Sequence, residues 1–201
     1  EEAEFVTDDI EKNVADGKHY RDHMILSRSV YAARKIEAAC ISKKIPYIVF
    51  GGTTLMRSAH VRDVVSALRI LANFRDELAW MRYLMLWQGV GEVSASKIIE
   101  KMFSYASLGE CIDVVKSAKL KDLAAHELLQ KICTLEKRPD AAIDIIVSEL
   151  DGIMARKHEN WDARKKDFTA LKIVAKRADS ISTFITEYIL DPVAELSNVL
   201  E

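Results

Sequence analysis

Hydrophobic residues along the chain follow two rhythms, and the change from one to the other near residue 52 organises the molecule. Before it, helical and strand-like stretches alternate. Ala3, Phe5, Val6, Ile10 and Val14 approximate one helical face, and Gly17 supplies a stop. His23-Met24-Ile25-Leu26 is a short apolar run of the kind that forms a buried strand. Ala32, Ala33, Ile36, Ala39 and Cys40 return to helical spacing. Ile45-Pro46-Tyr47-Ile48-Val49-Phe50 is β-branched and aromatic, with its proline near the start, and it closes at Gly51-Gly52. Strand, helix and strand in that order predict a right-handed parallel crossover. Two strands alone make no stable sheet, so their partner strands must lie elsewhere.

After Gly52 the rhythm is helical only. Val61, Val64, Val65, Leu68 and Leu71 keep the i, i+3, i+4, i+7 spacing. Asp76 is placed to cap a helix carrying Leu78, Met81, Leu84 and Met85. Ala95, Ile98, Ile99, Met102 and Phe103 form the next stripe, and others run through 120–135, 143–150, 168–175 and 181–189. Pro139 and Asp191-Pro192 punctuate them. A boundary is expected at 104–110, around Leu108-Gly109. No internal repeat or low-complexity tract interrupts the pattern.

Composition narrows the function classes. The net charge of −2 supplies no general attraction to nucleic acid, so any such contact must come from a local patch. Cys40, Cys111 and Cys133 include no CxxC pair, which argues against a disulfide framework or zinc knuckle and fits a reducing, cytoplasmic setting. No apolar run reaches the ~20 residues of a membrane span. The chain opens at Glu1 without methionine and is expected to be a piece of something larger.

Chemistry concentrates at LMLWQGVGEVSASKIIE, where Gly89-Val90-Gly91 separates two apolar helices. Glycine permits positive φ and close backbone approach, and the next helix offers unpaired N–H groups that a phosphate can accept. This is the form of a helix–hairpin–helix element, which grips a DNA backbone without reading bases. Lys97 would add positive charge, whereas Glu92 opposes an anion. A plain tight turn between packed helices fits the same residues.

Other candidates are weaker. His19 and His23 have i, i+4 spacing but fall in a loop and a strand, so no metal site is expected. Arg156, Lys157, His158, Arg164, Lys165 and Lys166 surround Trp161, yet interspersed Glu159, Asp162 and Asp167 read as a solvated helix face rather than a DNA-facing patch. Trp80 and Trp87 read as core. Ser27, Asp63 and the cysteines have no catalytic base at readable spacing, so nucleophilic catalysis has no support.

Residues 24–52, MILSRSVYAARKIEAACISKKIPYIVFGG, resemble motif IV and its surroundings in superfamily 1 DNA helicases of the UvrD, Rep and PcrA type. The matching features are Ile25-Leu26-Ser27-Arg28, Glu37, Ile45-Pro46-Tyr47 and Gly51-Gly52. The resemblance continues through EAEFVTDDI (2–10), VRDVVSALRILANFRDELAWMR (61–82, with Ala67 where the family has tyrosine), the GVG turn, and ARKKDFTALKIVA (163–175).

That resemblance implies an α/β, mostly α chain. Residues 1–104 would be the first half of the second RecA-like domain, with a partial parallel sheet. Residues 105–192 would be a helical insertion, and 193–201 the start of a return segment. It implies that Arg28 reaches the γ-phosphate of ATP across a cleft, while Gly89, Val90, Gly91 and Lys97 meet DNA. The full-length protein would use ATP and Mg and act on single strands and duplex junctions together with its remaining helicase domains. No GxxxxGK[ST] loop or acidic magnesium motif is present, so the fragment alone is expected to be inactive. A stand-alone hairpin-type DNA-binding module and a helical protein-interaction scaffold are the alternatives.

Overall fold

The computed structural model describes residues 2–50, 52–118 and 124–190. In chain order its α-helices are α1 (Glu2–Ala15), α2 (Val30–Ser42), α3 (Ala59–Ala72), α4 (Glu77–Leu84), α5 (Glu92–Met102) and α6 (Leu108–Ser117). Then come α7 (Ala124–Cys133), α8 (Pro139–Glu149), α9 (Asp151–Lys157), α10 (Trp161–Lys165), α11 (Asp167–Ala175) and α12 (Ile181–Phe184). The last of these continues as a π-helical turn over Ile185–Leu190.

Local chemistry sets most boundaries. Ser29 caps α2 by accepting from the Ala32 amide, and Asp76 caps α4 through Ala79, each such cap being worth about 1 kcal/mol. Beyond α2, Lys44 takes positive φ, and the Lys44 and Ile45 amides donate to Ile41 and Cys40. This Schellman arrangement stops the helix without a glycine. Pro139 opens α8 at a position where its missing N–H costs nothing.

Within the 104–110 stretch, where a boundary is expected, α5 has ended and α6 begins at Leu108. Ser107 accepts from the Glu110 amide and the Glu110 side chain reaches back, forming a capping box. That S-x-x-E signature is readable in the sequence and outweighs the glycine beside it.

One hydrophobic core contains residues from both sides of position 104: Val61, Val64, Leu68, Trp80, Tyr83 and Leu84 with Leu128, Ile143, Ile146, Leu171 and Phe184. Helix α3 is central, packing against α4, α7, α8 and α12, while α2 lies against α1 and α11. The Tyr83 hydroxyl donates to the Ala125 carbonyl, joining α4 to α7. A smaller cluster of Ile10, Cys40 and Ile45 ties α1 to α2. Trp80 and Trp87 are core residues, as expected.

The two expected strands are not seen. Among the described residues, neither 23–26 nor 45–50 pairs into a sheet. Met24, Leu26 and Phe50 are 81%, 89% and 84% exposed. A strand's amides and carbonyls are satisfied only by a neighbouring strand, and its apolar side chains only by a covering layer, and the described residues supply neither. The mostly helical character holds; the partial parallel sheet is not seen. Residues 193–201 lie outside the described residues.

Candidate functional site

The GVG hairpin follows α4, whose helical bonding runs on through Leu86 and Trp87 amides donating to the Tyr83 and Leu84 carbonyls. The Val90 amide then closes a turn onto Trp87, and Val90 itself is buried as the hairpin's anchor. The two glycines differ. Gly89 has φ of +82°, a conformation that disfavours any residue with a Cβ. Gly91 has φ −93° and ψ 175°, ordinary extended backbone, and a Cβ added there would meet nothing within 4 Å. The fold therefore needs glycine at 89 but not at 91.

Gly91 is the N-cap of α5 and provides no side-chain cap. Among the described residues, no hydrogen bond uses the amides of Gly91, Glu92, Val93 or Ser94; the first donor of the helix is Ala95, to the Gly91 carbonyl. The result is an exposed, uncapped end of an 11-residue helix. The positive end of the helix dipole and unpartnered donors together suit an anion. Lys97 is exposed on the next turn, and so is Glu92.

Arg28 sits in the loop before α2. It is exposed and forms no ion pair or hydrogen bond among the described residues. Its apolar neighbours Met24, Ile25, Leu26 and Val30 are exposed as well. Arg28 lies in the loop that leads into α2, whereas the hairpin joins α4 to α5.

Behind both lie buried polar networks that the sequence did not reveal. Arg34 donates to Glu37 at 2.7 Å and to Ser58 at 3.1 Å, and its Nε lies 3.4 Å from Asp167. Glu37 also accepts from the Tyr47 hydroxyl at 2.9 Å and the Leu55 amide at 2.6 Å. One carboxylate thus pins both ends of the segment from Tyr47 to Leu55 onto α2. Burial, then the Glu37 charge, raises the Tyr47 phenol well above its usual range.

A second hub is Asp63, 1% exposed, which takes Arg82 at 2.6 Å, Lys157 at 2.9 Å and His158 at 3.0 Å. It ties α3 to the helix leading into the hairpin and to the end of α9. His60 bonds Asp167 at 3.0 Å and packs edge-on against His158, Trp161 and Phe168. The Arg34–Glu37 pair has readable helical spacing. The Asp63–His158 contact spans 95 positions, and no local signal marks it.

The remaining candidates resolve plainly. Trp161 is buried, donates to Asp151 at 2.9 Å and stacks on His158, so it is no open platform within the basic stretch. Lys157 and Lys165 are held by Asp63 and Asp151. The ring of His23 faces the His19 carbonyl at 3.0 Å, and no group of three or more His, Cys, Asp or Glu side chains converges to hold a metal among the described residues. Burial pushes the Cys40 thiol up to about 11, that of an inert core residue.

Residues 1–198 match the UvrD-like helicase C-terminal domain. The chain is 30% identical over 140 residues to the ATP-dependent DNA helicase PcrA of Staphylococcus aureus (strain Mu50), covering 66% of this chain and 19% of that protein. To the protein of the same name from Staphylococcus epidermidis (strain RP62A) it is 27% identical over 158 residues, covering 75% of this chain and 21% of the relative. The chain spans about a fifth of the length of these curated relatives. The family match covers nearly the whole chain, and the chain belongs to the UvrD-like helicase C-terminal domain family.

Proposed function

We propose that this chain is part of an ATP-dependent DNA helicase of the UvrD/PcrA type, a cytoplasmic motor that translocates on single-stranded DNA and opens the duplex ahead. In this reading residues 1–104 belong to the second RecA-like domain, and the segments around 23–29 and 45–50 join its sheet once the remaining strands are present. Residues 105–192 are the helical insertion, and 193–201 begin the return. Exposure of Met24, Leu26 and Phe50 supports an edge made to be covered.

The observation that carries the DNA reading is the α5 end: uncapped amides behind a glycine whose Cβ position is empty although its backbone does not need glycine. A plain turn requires glycine at 89 only; at the N-cap position of Gly91 glycine is favoured but not required. Gly89, Val90 and Gly91 form the backbone-phosphate grip and Lys97 adds charge. Gly91→Asp introduces no backbone strain, so its effect reports the anion site. It should weaken duplex binding by about tenfold or more, as expected for losing a charge-assisted hydrogen bond. Binding that is indifferent to both salt and Gly91→Asp would instead mark a protein-interaction scaffold.

ATP and Mg belong to the full-length protein. Of the residues here, Arg28 fits a nucleotide phosphate: an exposed guanidinium with no carboxylate holding it. It would approach the γ-phosphate from the domain opposite the phosphate loop, where a guanidinium stabilises charge in transfer and is worth about 10³-fold or more in rate. Arg28→Ala in the full-length protein should cut ATP turnover on that scale while leaving DNA affinity intact. Lost DNA affinity with normal turnover would move Arg28 to the DNA track.

A further inference from the structure

Tyr31, in the first turn of α2, is 43% exposed and has two ammonium groups at its ring. Lys35 Nζ, one helical turn along, lies 5.8 Å from the ring centroid. Lys166 Nζ, from the junction of α10 and α11, lies 5.7 Å from it. Neither lysine forms an ion pair among the described residues. Their neighbours do otherwise: Lys43, Lys157, Lys165 and Lys172 are each held by a carboxylate. The first turn of α2 contains no acidic residue. Close packing of α11 on α2 is what brings Lys166 to Tyr31.

We propose that Tyr31, Lys35 and Lys166 form a contact for single-stranded DNA, separate from the GVG hairpin, in which the lysines take phosphates and the tyrosine ring takes a base. The inference rests on the DNA-binding reading of the chain and adds a surface to it. An aromatic ring with unneutralised cations beside it is how proteins hold single strands without reading sequence. Stacking needs an unpaired base, so a duplex would not satisfy this site. In the unliganded protein the ring holds the ammonium groups near its face and limits the rotamers of two flexible side chains. When a strand arrives, the phosphates take the ammonium groups and the ring is left to stack. Because α2 and α11 both contribute, the site exists only when those two helices are packed.

The test is anisotropy of fluorescein-labelled oligo-dT with the full-length protein, at two salt concentrations, beside a blunt duplex. Lys35→Glu with Lys166→Glu should weaken oligo-dT binding and flatten its log–log salt slope by about 0.7 for each lysine removed. Tyr31→Ala should cost about tenfold, the size of one lost base–aromatic stack, whereas Tyr31→Phe should retain affinity. Duplex binding should follow Gly91→Asp and not these changes. Because all three residues lie at the surface, the variants should keep the parent's melting temperature, and that measurement accompanies each titration. Unaltered oligo-dT affinity and slope in the lysine pair and in Tyr31→Ala would overturn the inference while leaving the helicase reading standing. If the unsubstituted protein bound neither oligo-dT nor duplex, the underlying DNA reading itself would fail. Oligo-dT displaced equally well by inorganic phosphate would show a simple anion site and overturn the single-strand assignment.

Discussion

Helix α3 and the segment around Leu26 are built from equally apolar residues and come to opposite fates. In α3, Val61, Val64, Leu68 and Ile70 are wholly buried, while Leu26 and its neighbours Met24 and Ile25 stand in the open. The difference is one of self-sufficiency. A helix satisfies its backbone within itself and needs only another surface for one stripe of side chains. An extended segment needs a neighbour for its backbone as well as a layer for its side chains. Where those are absent the same hydrophobicity becomes an exposed patch. Among the described residues the apolar stripe of α3 is therefore covered, and the apolar residues near Arg28 are not.

Several experiments would break or sharpen that contrast. The largest effect should come from Leu68→Ala, which empties a site in the centre of the core and should cost about 2–5 kcal/mol in urea unfolding. Glu37→Ala should follow at about 2–3 kcal/mol, because Arg34, Tyr47 and the Leu55 amide lose a shared acceptor. Amide exchange at Leu55 should accelerate in that variant; unchanged protection would mean the segment is held by something else.

Gly89→Val should lose about 1–2 kcal/mol by forcing a β-branched residue to positive φ. Gly91→Val should cost much less, since its backbone is extended and its surroundings open. Equal losses at the two glycines would remove the argument that only one serves the fold.

Alkaline pH should produce a smaller loss. The folded Cys40 thiol titrates at about 11 against an ordinary 9.0, burial being the main cause. Its contribution to stability is complete below 9.0 and disappears as pH rises through about 11. Halfway between these values the loss should be about 1 kcal/mol, and Cys40→Ala should flatten the slope. Least affected should be Leu26→Ala, within about 0.5 kcal/mol in this chain. A core-sized cost there would show that the segment is already covered.

Sequence periodicity located most helices to within a few residues, because a helix writes its boundaries locally. Asp76 as a cap and Gly17 as a stop act as expected, and Pro139, read only as punctuation, opens α8. Helix α6 is absent from the expected stripes; its local mark is the Ser107–Glu110 box beside Gly109. The GVG turn was visible as a candidate, but the different roles of its glycines depend on φ and on what a Cβ would meet.

Amino-acid order alone determined the helical stripes, their caps and the position of the glycine hairpin, since each rests on residues within a turn or two of one another, and it carried the family resemblance through the order of several such local motifs. Tertiary structure decided the partners of Asp63, the clamp of Glu37 on the Tyr47–Leu55 segment, the burial of Trp161 and the meeting of Lys166 with Tyr31. These contacts join distant parts of the chain, and the free energy that selects them comes from burying shared apolar surface, which no local spacing encodes.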